Sequence, residues 1–386
     1  MSRNPEARLL LDALAETANA PLEEATALHP RLYRSQKIHD LELKNIFAKE
    51  WLCAGRSADI PNPGDYLTYS IGDQPIFVQR GKDGEIRAFA NVCRHRMMKL
   101  LDGTGSCKRI VCPYHAWTYG LDGKLIGAPH MDRTKDFDKS RISLAPIRVE
   151  VWHGWLYVTL DPETEPVSEL LETFPNFLDL YKIEDYIPVI TQDHVWQTNW
   201  KLLTENFIEG YHLPIAHRAT VGAGYSAADI EIPEKTSGNF TIEFFRKQPN
   251  AVVGNAHPDN TRLTGKWRNT SLLGVVFPCH LIVLAPDHLW YLSLRPKGVG
   301  EVHIRFGAAL APEVHAAQKD PDAEREKMIA LFDRINAEDR FVVEGIFAGS
   351  GAPMTKPGPL CWLEHMLHDF AIYLNSQLDN REGEAQ

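Results

Sequence analysis

Two cysteine–histidine pairs dominate the chemistry open to this chain. Cys93-Arg94-His95 is followed, after sixteen residues, by Cys112-Pro113-Tyr114-His115. Two thiolates can hold one iron of a [2Fe–2S] cluster while two neutral imidazoles hold the other. Neutral ligands raise the reduction potential relative to an all-cysteine cluster. Pro113, Gly103 and Gly105 suit the short loops that would present such ligands at the tip of a β domain. Structural zinc is the rival, because two Cys and two His also bind zinc. The usual finger spacing is absent, since each Cys here pairs with a His. Cys107 has no His at loop spacing and reads as packing or a surface thiol.

A second patch runs Asn199-Trp-Lys-Leu-Leu-Thr-Glu205-Asn-Phe-Ile-Glu209-Gly-Tyr-His212-Leu-Pro214-Ile-Ala-His217. His212 and His217 are five apart and would diverge by about 140° on one continuous helix. Pro214 removes a helix hydrogen bond and pushes Leu213 out of the α region. The helix is therefore expected to end near His212, leaving His217 free to turn toward the same metal. Two imidazoles and one carboxylate form the facial triad of non-haem Fe(II) oxygenases, with positions open for O2 and substrate. By chemistry alone the third ligand stays open among acids of a predicted helix over 321–347, which carries Asp333, Glu338 and Asp339.

The run Cys93-Arg-His95…Cys112-Pro-Tyr-His115-Ala-Trp-Thr-Tyr119 closely resembles the Rieske domain of the Rieske non-haem iron oxygenases. That family includes ring-hydroxylating dioxygenases and quaternary-ammonium oxygenases, and the resemblance covers about residues 45–380. Ala116 departs from its usual Gly. The segment 205–217 resembles the family pattern acid-x3-acid-x2-His-x4-His, which carries His212 and His217 over as iron ligands. It places Glu209 as the carboxylate that bridges the two metal sites across subunits. The family's Asp-x4-Glu element points to Asp339 as third ligand. Glu209, where the dioxygenases usually have Asp, resembles the carnitine and choline branch. So does the terminal element around Glu364, Phe370, Tyr373 and Leu374. Gly210 and Leu213 depart from that branch, which often has Cys beside the first ligand His.

The elements that must position these residues read as follows. Apolar spacing at Leu9, Leu10, Ala13 and Leu14 predicts an N-terminal helix. Residues 51–158 read as β, with turns at Pro63-Gly64-Asp65, Asp83-Gly84, Asp102-Gly103 and Asp122-Gly123. Helix is expected over 199–211, 321–347 and 360–378, and strand over 240–246, 272–284, 289–294 and 302–310. Leu363, Leu367, Phe370, Leu374 and Leu378 share one apolar helix face. No internal repeat is visible. The expected domains are an N-terminal helical segment (1–45) of a catalytic domain, a Rieske [2Fe–2S] domain (46–160) and a mononuclear-iron domain (161–386). The fold class is α+β: an all-β domain inserted in a helix-grip domain with an antiparallel sheet, the latter implied by the resemblance.

Composition bounds the rest. The chain has 386 residues, 44% hydrophobic and 24% charged, which fits a globular protein and excludes disorder as its main state. A net charge of −10 argues against nucleic acid as a partner. The apolar run Leu272–Leu294 is broken by Pro278, His280, Pro286, Asp287 and His288, so no membrane span is expected. Six sparse cysteines and a charged start without a continuous apolar core give a cytoplasmic expectation. No G-x-G-x-x-G opens a βαβ unit, so NAD(P)H and flavin are expected to act only through a partner reductase or ferredoxin. Arg94, Arg96, Lys99, Lys108 and Arg109 form a basic collar that can steer such a partner. Phe207, Tyr211, Tyr225, Trp267 and Trp290 are candidates for a pocket lining or cation cage.

The chain is thus expected to be a terminal oxygenase, using O2 to hydroxylate or oxidatively demethylate a small N-methylated or quaternary ammonium compound. The cofactors are a [2Fe–2S] cluster and a mononuclear Fe(II). By resemblance it forms a homotrimer, His115 of one copy meeting Glu209 of the next. Hydroxylation of an aromatic acid is the alternative. A pure electron carrier is a remote one, disfavoured by the second ligand set and the more than 200 residues that follow the cluster region.

Overall fold

A computed structural model describes residues 5–233, 238–247 and 254–379. The chain divides into two compact units, one spanning Phe47–Val167 and the other made of the residues up to Ile46 together with those from Ser168 onward.

The first unit is all β. Seven antiparallel strands lie in the order Leu52–Arg56, Trp155–Thr159, Pro146–Trp152, Ile86–Ala90, Gln74–Arg80, Asp65–Ile71 and Thr104–Ser106. A smaller sheet joins Ile110–Val111, Thr118–Tyr119 and Leu125–Gly127. The turn glycines read from the sequence all use their freedom: Gly64, Gly84, Gly103 and Gly123 have φ of +96°, +84°, +60° and +79°. Phe77, Phe89, Ile110, Trp117 and Tyr119 form a buried cluster that includes both Cys93 and Cys112.

The second unit is a seven-stranded antiparallel sheet, with the helices Trp200–Phe207, Pro321–Ser350 and His365–Asp379 packed against it. Its strand order is Ile187–Trp196, Glu301–Leu310, His288–Gly298, His280–Leu284, Thr270–Val276, Phe240–Arg246 and Ile230–Glu231. The expected run 272–284 is two strands joined by a turn. Ile187–Trp196 was not apparent from the sequence. It lies at the sheet edge and carries Pro188 and alternating polar residues, so it lacks the apolar signal of the central strands.

Helix Pro321–Ser350 falls where periodicity put it and runs three residues further, whereas the helix expected over 360–378 begins only at His365, after a 3-10 turn Trp362–Glu364 that carries Leu363. Asp320 caps the first through the Ala323 N–H. Phe332 packs at a tilt against Trp290 and Phe306 of the sheet, with ring centroids 5.5 and 5.1 Å apart. No helix among the described residues is long and apolar enough to cross a membrane.

One buried ion pair fixes the start of the helix that leads to the second histidine patch. Lys201 Nζ lies 2.6 Å from Glu42 Oε1, with both side chains buried, and Trp200 Nε1 donates to Glu42 Oε2 at 2.8 Å. Removing one partner strands the other charge. Lys201→Met is therefore expected to cost about 3–5 kcal/mol, and the double change Glu42→Leu with Lys201→Met much less. Urea midpoints of the three proteins check this; an unperturbed single variant would contradict it.

Candidate active site and cluster loops

In the β unit the two loops share one backbone design. The Met97 N–H bonds to the Cys93 carbonyl at 3.1 Å, and the Ala116 N–H to the Cys112 carbonyl at 3.0 Å. Met97 and Ala116, each four residues past its cysteine, take φ of 58° and 56°. The Cys93 and Cys112 N–H groups close the loops onto Met98 and Trp117 at 2.8 Å each. The thiols rise from the core, 2% and 3% exposed, while His95 and His115 stand exposed at the tip. Their rings lie 4.8 Å apart, and His95 stacks on Trp117 at 4.7 Å.

The Tyr119 hydroxyl accepts the Arg94 N–H at 3.0 Å and lies 3.2 Å from Cys93 Sγ, so its proton is free for the sulfur. Among the described residues, these four side chains do not gather closely enough for one ion. That geometry disfavours zinc and suits a two-iron cluster, which spreads its ligands over two metals. In the collar, Lys99 is paired with Asp102 at 2.7 Å and Arg96 lies over Tyr114.

In the second unit, Asn199 caps a helix that runs only Trp200–Phe207, shorter than the expected 199–211. The Glu209 carboxylate takes the His212 N–H at 3.0 Å in a local turn that competes with helical bonding. Gly210 leaves room there for the Tyr225 ring, whose hydroxyl would lie 2.8 Å from an added Cβ. Pro214 does not end that helix. It sits in the first turn of a separate helix, Leu213–Ala216, where a missing N–H costs nothing. His212 and His217 are the two caps of this single turn, with ring centroids 5.1 Å apart. The pair therefore converges, though by a different route from the one expected.

Asp339 completes the group. Its Oδ1 lies 2.9 Å from His217 Nε2 and 3.6 Å from His212 Nε2. His212, His217 and Asp339 offer donor atoms within 4.8 Å of one another. The two imidazoles use their far nitrogens alike. His212 Nδ1 meets Glu209 Oε1 at 2.5 Å, and His217 Nδ1 meets Glu338 Oε2 at 2.8 Å. The Thr220 hydroxyl donates to the same Glu338 oxygen at 2.6 Å.

Glu338, a rival for the triad, is thus placed behind His217, and Asp333 is exposed. Helix spacing holds the distinction. Asp339 is four residues from both Ile335 and Val343, which are buried, so it shares their inward stripe. That signal was available in the sequence.

The electrostatics call for a cation. Burial disfavours the His212 imidazolium, but Asp339 and Glu209 outweigh it and raise the group to about 9. Burial pushes Asp339 up, and the two histidines overcome it and hold the carboxyl below its usual range. Asp339 Oδ1 is buried and has no well-aligned hydrogen-bond donor among the described residues. Two nitrogens and one oxygen around a common point, each imidazole braced by a carboxylate on its other side, fit a divalent iron with open positions.

Other candidates separate. Glu205 accepts the Tyr33 hydroxyl at 2.8 and 3.0 Å, outside the triad, and burial pushes its carboxyl up to about 8. It lines a cavity of about 520 Å³ with Glu209 and His212. Phe207 packs on Trp290 at 5.2 Å and Tyr225 on Phe245 at 5.9 Å. Trp267 lies against Phe244 and Tyr181 at 5.6 and 6.3 Å, and Tyr211 is exposed, so the five aromatics do not make one cage. Glu243 was not singled out in the sequence, although a lone acid in the apolar strand Phe240–Arg246 was visible there.

Residues 50–138 match the family model of the Rieske [2Fe–2S] domain. Residues 183–380 match that of the ring hydroxylating alpha subunit catalytic domain. The glycine betaine monooxygenase oxygenase subunit of Chromohalobacter salexigens is 38% identical over 85% of this chain and 80% of its own length. The carnitine monooxygenase oxygenase subunit of Escherichia coli K12 is 33% identical over 71% of each chain. A naphthalene 1,2-dioxygenase from Rhodococcus sp., solved with indole, superposes with a TM-score of 0.81 at 22% identity, covering 98% of this chain and 99% of that one.

Proposed function

Because the chain belongs to the family of Rieske oxygenases with a ring-hydroxylating alpha-subunit catalytic domain, we propose that it is the oxygenase component of a quaternary ammonium monooxygenase. One observation carries the substrate class: identity above 30% over most of their length to the glycine betaine and carnitine oxygenase subunits. The fold alone is neutral, since a naphthalene dioxygenase shares it.

The cofactors of this family are a Rieske cluster and a mononuclear iron. Cys93 and Cys112 would hold one iron of the cluster, and His95 and His115 the other. His212, His217 and Asp339 would hold the mononuclear iron. When bound, the cluster supplies single electrons, and the mononuclear iron activates O2 beside the substrate. The chain's own residues orient those ligands. Glu209 and Glu338 hold the Nδ1 protons of His212 and His217, which aims both Nε2 lone pairs inward.

The surfaces around both ligand sets support assembly of identical copies. Ile215 and Phe341 are 83% and 82% exposed beside Glu209 and His212, bordering a cavity of about 880 Å³. Met97 and Tyr114 are 81% and 53% exposed beside His95 and His115. Apolar surface of this kind marks an interface. In the homotrimer we propose, His115 of one copy donates to Glu209 of the next. Arg94, Arg96, Lys108 and Arg109, all exposed, would meet an acidic reductase or ferredoxin, which brings the reducing power of NAD(P)H. The proposed compartment is the cytoplasm.

Oxygen uptake with a partner reductase tests the substrate class. Glycine betaine, carnitine and related cations are expected to stimulate uptake and yield hydroxylated or demethylated product, and benzoates and naphthalene are not. A cis-diol or phenol from an aromatic acid, with no response to the cations, would favour the aromatic alternative.

A further inference from the structure

The strand register carries Glu243 into the interior facing the helices. Glu243 pairs with Leu273, Leu273 with Val283, and Val283 with Trp290, so these four side chains form one rank on one face of the sheet. That face looks toward the site. Trp290 packs on Phe207, two residues before Glu209, and Thr241, two residues from Glu243, donates to Asp369 of the helix His365–Asp379 at 2.6 Å. Val283 and Trp290 are only partly buried although they point inward, which marks a hollow between sheet and helices. Glu243, at the other end of the rank, is fully buried.

Among the described residues, neither carboxylate oxygen of Glu243 has a hydrogen-bond partner. Nearby, the buried Tyr225 hydroxyl also has no partner among the described residues, and it lies within electrostatic reach of both Glu243 and Glu209. Its ring packs on Phe245, the next side chain along on the Glu243 face. An unpaired buried carboxylate is costly, and proteins retain one where something compensates it. A cation that enters the hollow supplies that compensation. A quaternary ammonium has no N–H to give; it is recognised by a nearby negative charge and by aromatic faces.

We propose that Glu243 is the counter-charge for the substrate's quaternary ammonium group, with the Tyr225 ring beside it as an aromatic wall. This rests on the substrate class proposed above and adds the residue that reads the cation. Burial pushes the Glu243 carboxyl up to about 8, so the empty site can be neutral and become charged when a cation enters.

Equilibrium dialysis on the oxidised holoenzyme tests this without turnover. Two probes of one shape are compared: glycine betaine and its carbon isostere, 3,3-dimethylbutanoate, which keeps the carboxylate and has an uncharged quaternary carbon in place of the ammonium nitrogen. The wild type is expected to prefer the betaine by about tenfold or more. Glu243→Gln is expected to erase that preference while leaving the isostere's affinity within about twofold, and Glu243→Asp to keep part of it. The cluster absorbance and thermal midpoint report whether each variant folds. Should Glu243→Gln not accumulate, equal wild-type affinity for the two probes overturns the proposal by itself. A folded Glu243→Gln that keeps the full preference overturns it while leaving the substrate class intact. No binding of any quaternary ammonium by the wild type overturns the substrate class instead.

Discussion

Asp339→Ala is expected to leave the protein red-brown, with its cluster iron and acid-labile sulfide unchanged, and to abolish retention of the mononuclear iron. The reason is geometric. Both His212 Nε2 and His217 Nε2 approach Asp339 Oδ1, at 3.6 and 2.9 Å. Without it two imidazoles remain, too few to hold Fe(II) in a facial site. Outer-shell changes typically cost about 10–100-fold in metal affinity, and loss of a ligand exceeds that. Glu338→Gln is the informative companion. Its carboxylate holds His217 Nδ1 and accepts the Thr220 hydroxyl, so an amide there loosens the ring without removing a ligand. It is expected to weaken iron by about 10–100-fold and to regain it at raised Fe(II). Iron titration of the two variants distinguishes the roles; the reverse order would show that Glu338 is the ligand.

Glu209→Gln is expected to keep the cluster and most of the mononuclear iron, and to lose activity by about 10–100-fold. Glu209 has two duties visible in the structure. It accepts the His212 backbone N–H at 3.0 Å, which shapes the turn, and it meets His212 Nδ1 at 2.5 Å, which orients the ring. An amide can present its oxygen to only one of these, and it lacks the charge that stabilises a polarised imidazole. In the trimer proposed above, the same carboxylate also receives His115 of a neighbouring copy, so the cluster would still be reduced but product would lag. Glu209→Asp keeps the charge and withdraws it by one methylene; it is expected to be impaired as well. Cluster reoxidation and product formation at the wild-type rate in Glu209→Gln would remove this role.

Much of this site could be read from the sequence because metal chemistry constrains residue type and spacing together. The C-x-H and C-x-x-H pairs needed no fold to be recognised. Asp-Gly and Pro-Gly turns marked the β unit because glycine at positive φ leaves a direct trace. His212 and His217 were legible as a pair, but their mutual geometry was not: Pro214 starts a helix instead of ending one, because Glu209 has already captured the chain in a turn. The edge strand Ile187–Trp196 was hidden because its exposed side carries polar residues and its burial depends on a strand more than a hundred residues away. Glu243 was hidden for a related reason. A single acid in an apolar strand looks like a surface position until the register shows which face it takes.

The most direct test of the account is a single turnover of protein reduced at its cluster, mixed with glycine betaine and O2 and quenched over time. The cluster is expected to reoxidise at the same rate as hydroxylated or demethylated product appears. Reoxidation that yields no product from any quaternary ammonium compound would contradict it.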